Sequence, residues 1–232
     1  MFTAVGMKRT TIILINLILT SLLFAQQTKV IRDFGVWGVI NIEKNIGKDF
    51  EIELAQQLRF YSTATQLDDY IVDLGGKYKI NKNFRLGANL RYTYNAKRWK
   101  EAENNYRYNF DLRYKGRIME NLNLHYRLRY QHEYVNTFSE YLKTNIHHSN
   151  IRHRAKAEYE INKLHTGYFS AELFRLMEPF REPYWNKVRF FIGDEIASRI
   201  GEFDVSFGYE LETNTKYPLS FFFIKTKYTL KL

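Results

Sequence analysis

The sequence predicts an all-β protein, an antiparallel up-and-down transmembrane β-barrel of ten to twelve strands. Three observations predict it. Between Phe84 and Tyr134 apolar or aromatic residues recur at every second position, as in FRLGANLRYTY, YRYNFDLRY and LNLHYRLRY, which is the period of a strand with two unlike faces. The residues between them are polar or charged, so a sheet built from them separates an apolar phase from a wet one. Ahead of the strands, Met7-Lys8-Arg9 forms a positive n-region, Thr10 to Phe24 a mostly apolar stretch, and Ala25 a small residue before Gln26. That layout predicts a cleaved secretory signal over 1–25, with Met7 the expected start.

Composition narrows the class. Aromatic residues make up 17% of the chain, with 18 Tyr and 18 Phe, yet charged residues reach 26%. A helical membrane protein would be less polar, whereas a barrel keeps half of each strand against a polar interior. The net charge of +10 raises nucleic-acid binding, but the Lys and Arg residues are strung along strands rather than gathered in a patch, so no nucleic-acid partner is expected. Without cysteine there is no disulfide and no lipid-bearing cysteine.

A polar lead-in covers 26–33, and 34–232 reads as one barrel domain. The first strand, 34–42, carries Trp37. In the next, 49–61, Phe50, Ile52, Leu54, Leu58 and Phe60 alternate with Glu51, Glu53, Gln57 and Arg59. The same grammar gives 69–80, 84–95, 105–115, 122–134 and 150–161. Over 167–177 the pattern weakens, because Tyr168 and Phe174 compete with Phe169, Ala171 and Leu173, and a bulge or register change is expected there. Strands 185–198, 203–212 and 219–232 complete the set.

Short turns at 43–48, 81–83, 116–121, 162–165 and 199–202 alternate with longer loops at 96–104, 135–149 and 178–184. Outer-membrane barrels have short periplasmic turns and longer external loops, so the rhythm also orients the barrel. Eleven segments conflict with the even number usual in such barrels. Either 26–32 adds a short twelfth strand or the lead-in threads the interior. A turn centred on Lys82 sets Val72 opposite Tyr92, Leu74 opposite Leu90 and Tyr78 opposite Leu86 on the lipid face, and Asp73 opposite Arg91 inside.

Placing the charged parity inside makes Arg91, Arg113, Arg127, Arg129 and Arg154 candidate interior basic residues, with Asp73 and Arg91 a candidate ion pair. The bland reading is a plug of ion pairs filling a narrow barrel. The sharper one is a conduit or pocket for a small anionic solute, because guanidinium groups grip carboxylate and phosphate bidentately. His147-His148 is expected in an external loop, without a third ligand near it, and no metal or cofactor is expected. His132 and Glu133 are adjacent on a strand and point to opposite faces. Ser170 and Ser206 have no G-x-S-x-G surroundings, so no enzyme is expected.

The runs NIEKNIGKDFEIELAQQLRF and GGKYKINKNFRLGANLRYTY, with the early Trp37 strand and Arg59 ending the next, resemble the bacterial outer-membrane barrel family called domain of unknown function 2490. The resemblance covers roughly 34–232. It implies an outer-membrane location and a barrel fold, and carries no activity. The expectation is therefore a non-catalytic, porin-like outer-membrane barrel with a structural or anion-transport role. Its partners would be outer-membrane lipids and, during insertion, the barrel-assembly machinery. The competing readings are a barrel enzyme acting on lipids or envelope components, and a soluble periplasmic ligand-binding barrel with the aromatic face inward.

Overall fold

The structure, a computed structural model, describes residues 30–96, 102–137 and 145–232. The expected signal at 1–25, lead-in residues 26–29 and the centres of two of the expected long loops lie outside the described residues. The alternating segments form eleven strands: β1 (Ile31–Ile46), β2 (Phe50–Tyr61), β3 (Gln66–Lys79), β4 (Phe84–Asn95), β5 (Glu103–Met119) and β6 (Leu122–Thr137), then β7 (Asn145–Glu160), β8 (His165–Met177), β9 (Tyr184–Ala197), β10 (Gly201–Glu212) and β11 (Leu219–Lys231). They close into a barrel in which each strand pairs with its sequence neighbours and β1 pairs with β11.

The closing pair departs from the antiparallel expectation. β1 is antiparallel to β2 but parallel to β11, with Ile31 opposite Leu219 and Glu43 opposite Lys231. When strands alternate direction, the first and eleventh run the same way, so an odd number closes only through a parallel seam. The other ten pairs are antiparallel.

Turn chemistry sets the registers. Asn81 Oδ1 accepts from the backbone N–H groups of Asn83 and Phe84, both at 2.9 Å, and Asn162 Oδ1 accepts from those of Leu164 and His165. These are side-chain-closed turns of the kind Asn favours. The first holds Val72 opposite Tyr92, Asp73 opposite Arg91, Leu74 opposite Leu90 and Tyr78 opposite Leu86. In β8 the expected irregularity falls between Phe174 and Arg175, where pairing with β9 shifts register. Tyr168 and Phe174 turn inward and are buried.

One position is corrected. His147 and His148 lie within β7, not in a loop, because pairing with β6 continues past Glu133 opposite His148 and Tyr134 opposite His147. The rings of Tyr134 and His147 contact each other there.

Burial is inverted relative to a water-soluble fold. Leu90, Ile40, Ile192 and Phe110 are 63, 62, 62 and 57% exposed, whereas Asp73, Asp111, Arg129, Arg152 and Glu172 are buried. In an ordinary globular protein such charges would stay outside and such aliphatics in. Among the described residues the apolar cluster inside the barrel lies by the seam, where Trp37, Tyr168, Phe191, Phe221 and Phe223 meet. Trp37 stacks on Phe223 at 3.7 Å between centroids. Gly208 stands opposite Phe223, and any Cβ at that position would collide with the Phe223 ring.

Candidate functional site

A cavity of about 390 Å³ lies inside the barrel, in the half nearer the longer connections. It is walled by Arg59 late in β2, Arg91 late in β4, Arg107 early in β5, Glu133 late in β6, Arg152 in β7, Phe174 late in β8 and Arg189 in β9. The wall carries ten cationic side chains, eight of them arginines, against two carboxylates, Glu133 and Glu172. Strand alternation produces this directly, since in β2, β4, β5, β6 and β7 the inward residues at this level are charged or polar.

Carboxylates just behind the wall hold most of the cations. Asp73 takes Arg91 through two bonds, Nε at 2.8 Å and Nη2 at 2.6 Å. Asp111 takes Arg129 at 2.5 and 2.7 Å, and also Arg113 at 2.7 Å. Asp69 holds Arg59 at 3.2 Å, and Asp204 holds Lys225 at 2.9 Å. Glu133 binds Arg107 at 2.6 Å with His148 at 3.3 Å. Glu210 is shared by Lys187 and Arg189.

Glu172 is the centre of this network. It is 2% exposed and accepts from Arg127 at 2.6 Å and from Arg152 at 2.9 and 3.1 Å, with Arg189 3.9 Å away. One carboxylate serving three guanidinium groups leaves the cations in surplus. Arg154, directly opposite Glu172 in the β7–β8 ladder, keeps no carboxylate partner among the described residues and donates only to Ser170 Oγ at 3.4 Å. The Nε groups of Arg59, Arg107, Arg127 and Arg154, and Trp37 Nε1, are buried without a hydrogen-bond partner among the described residues. All five side chains line the cavity.

Of the candidates read from sequence, Arg91, Arg127, Arg129 and Arg154 therefore meet at this cavity. Arg113 stands apart, at a second cavity of about 220 Å³ toward the short-turn end, with Lys156, Glu158, Asp204 and Lys227. Arg127, Arg154 and Lys225 line both cavities and form the partition between them. Sequence reading missed Glu172, Lys187 and Lys225. Glu172 was hidden because its inward neighbours Tyr168 and Phe174 blur the parity of β8; the usable signal was a carboxylate on the same parity as Ser170.

The remaining candidates scatter. His132 Nδ1 is 2.7 Å from Ser149 Oγ on the outward face, with Tyr108 stacked on its ring at 5.2 Å and Tyr134 at 4.6 Å. Glu133 points inward, so the two neighbours do not meet. Ser170 and Ser206 are buried, and neither contacts a histidine among the described residues. The one cluster there with metal-ligand spacing is Glu43, Glu51 and Glu53. Lys77 Nζ already lies among them, at 3.3, 2.6 and 2.6 Å, so an internal ammonium fills the cation's place.

No curated protein matches the chain. The sequence profile of the family described as "Protein of unknown function (DUF2490)" matches residues 34–216, from the Trp37 strand to the turn before β11, and the chain belongs to that family.

Proposed function

We propose that the protein is a non-catalytic integral barrel of the bacterial outer membrane whose interior receives small anionic solutes. The observation that carries this reading is the cavity wall of ten cations and two carboxylates, with Arg154, among the described residues, left outside the ion-pair network. Buried cations in a dry interior are costly unless each is compensated. A surplus of guanidinium groups around an open volume suits an oxyanion, which accepts their paired donors.

Membrane insertion is supported by the outward face. Exposed Leu74, Leu90, Phe110, Phe169 and Ile192 ring the barrel, and an apolar band outside with polar residues inside is what a lipid-spanning barrel requires. Exposed Tyr94, Tyr106 and Tyr134 sit toward the loop-side ends of their strands, where interfacial aromatics collect. Export by the N-terminal signal, insertion by the barrel-assembly machinery and contact with outer-membrane lipids belong to the same proposal.

The test has two arms. Membrane fractionation should place the mature chain in the outer membrane, and recovery as a soluble periplasmic protein would overturn the membrane reading. Purified protein in planar bilayers under a salt gradient should give an anion-selective reversal potential; no conductance, or cation selectivity, would overturn the solute reading.

The His132–Ser149 pair is what favours the competing lipid-hydrolase reading. It faces outward beside a groove lined by Leu90, Tyr92, Tyr106, Tyr108 and Tyr134, with a volume of about 400 Å³. A nucleophilic serine needs a base that is itself oriented by a third group. Among the described residues His132 contacts Ser149, Tyr108, Tyr134 and His147, none of them a carboxylate. Ester hydrolysis by purified protein, lost in Ser149→Ala, would establish that reading instead.

A further inference from the structure

The registers of four consecutive strands bring four arginines into one row. Arg85 of β4 lies opposite Arg113 of β5, Arg113 opposite Arg127 of β6, and Arg127 opposite Arg154 of β7. The row then continues to Glu172 of β8, Arg189 of β9 and Glu210 of β10. Like charges directly opposite each other destabilise a sheet. The later members alternate in sign, as a purely structural ladder would, but the first four do not.

The row also climbs. Arg85 is the second residue of β4, beside the short Asn81–Asn83 turn, whereas Arg154 lies deep in β7. Arg85 is exposed, the Arg113 side chain is 30% exposed, and the Arg127 side chain is 17% exposed. The cations thus lead inward from the short-turn rim, through the 220 Å³ cavity that Arg113, Arg127 and Arg154 share, to the 390 Å³ cavity that Arg127 and Arg154 also line. From Arg113 inward carboxylate partners thin out: Arg113 shares Asp111 with Arg129, Arg127 shares Glu172 with Arg152, and Arg154 has none among the described residues. Arg127 and Arg154 each keep a buried Nε donor without a partner among the described residues.

We propose that Arg85, Arg113, Arg127 and Arg154 form a stepped path along which a small oxyanion, phosphate or carboxylate, passes between the short-turn mouth and the central cavity, with Arg154 as its innermost ligand. The proposal rests on the anion reading above and assigns it a route and a ligand class. Repulsion between neighbouring guanidinium groups is relieved when an oxyanion bridges two of them, and the next pair in the row offers the same geometry one strand further on. A chloride ion has no pair of oxygens to match the fork. The path therefore discriminates oxyanions from halide at equal charge.

The test uses the full mature chain in planar bilayers, with currents carried in turn by phosphate, succinate and chloride. Wild type should pass at least one of the two oxyanions in preference to chloride, and the separate arms say whether phosphate or carboxylate is the favoured class. Arg154→Gln should reduce that oxyanion current at least tenfold, and Arg154→Lys should keep chloride current while losing the oxyanion preference. Arg113→Gln, at a partly exposed site, should lower the same current and decides the matter if Arg154→Gln fails to insert. Lys44→Gln removes an equal charge from the outward face and should leave the current unchanged. Anion-selective wild type with unaltered oxyanion preference in Arg113→Gln and Arg154→Lys overturns the row and leaves the anion reading standing. Wild type without anion current overturns both.

Discussion

Asp73 and Arg91 face each other across β3 and β4 and are joined in fork geometry, Nε to Oδ1 at 2.8 Å and Nη2 to Oδ2 at 2.6 Å. Asn89 donates to the same Oδ1 at 2.8 Å, so the carboxylate is fully engaged. Both side chains are close to nine-tenths buried. Their alignment follows from a turn in which Asn81 closes the chain back on itself. Two short-range interactions in the sequence thus determine a long-range pair in the barrel.

Removing one member of a buried pair strands the other and costs about 3–5 kcal/mol, while removing both avoids the unpaired charge. Asp73→Ala should therefore destabilise the barrel more than Asp73→Ala combined with Arg91→Leu, measured by urea unfolding in lipid vesicles. Additive losses across the double-mutant cycle would show that the pair does not couple.

How far the sequence carried depends on how cleanly each strand alternates. In β4 the outward set Phe84, Leu86, Ala88, Leu90, Tyr92 and Tyr94 has no interruption, and its limits at Phe84 and Asn95 coincide with the expected strand. In β8 the inward set holds two aromatics, so Glu172 at the hub of the ion-pair network gave no periodic signal. β6 and β7 outran their expected ends because polar residues such as Asn136 and Ser149 read as loop, although backbone pairing continues through them. The parallel seam was illegible for a different reason. Nothing in the side chains of β1 or β11 states which edge will close on which, and only the odd strand count forces the direction.

The seam makes its own prediction. Gly208 gives Phe223 the space to lie against Trp37. Gly208→Val should overpack this site and cost about 1–3 kcal/mol. Phe223→Ala should open a cavity and cost about 3–5 kcal/mol. Because the added and deleted volumes overlap, the double variant should be more stable than the sum of the two losses predicts. Equal additivity in urea midpoints would mean the two residues do not share the space.

Lys77 supplies a third. Its ammonium lies among Glu43, Glu51 and Glu53, whose ligand oxygens are within 4.8 Å of one another. Lys77→Ala leaves three carboxylates facing one point, an arrangement that hard divalent cations favour. Added calcium should raise the melting temperature of Lys77→Ala and leave that of the parent protein unchanged. A calcium response of equal size in both proteins would count against Lys77 as the resident counter-ion.

The last prediction joins stability to ligand. Glu172 is buried and holds Arg127 and Arg152, with Arg189 nearby. Glu172→Gln keeps the shape of the side chain and one acceptor oxygen but removes the charge, leaving three guanidinium groups to repel one another. The loss expected on breaking such a buried pair is about 3–5 kcal/mol. An oxyanion bound among those groups would replace the missing charge, and a ligand that binds only the folded state adds stability in proportion to the logarithm of its concentration. Millimolar phosphate should therefore raise the urea midpoint of Glu172→Gln by more than it raises that of the parent, while chloride at equal ionic strength should do less. If phosphate and chloride act alike on both proteins, the effect is screening of the excess charge, and the guanidinium cluster does not bind oxyanions as a site.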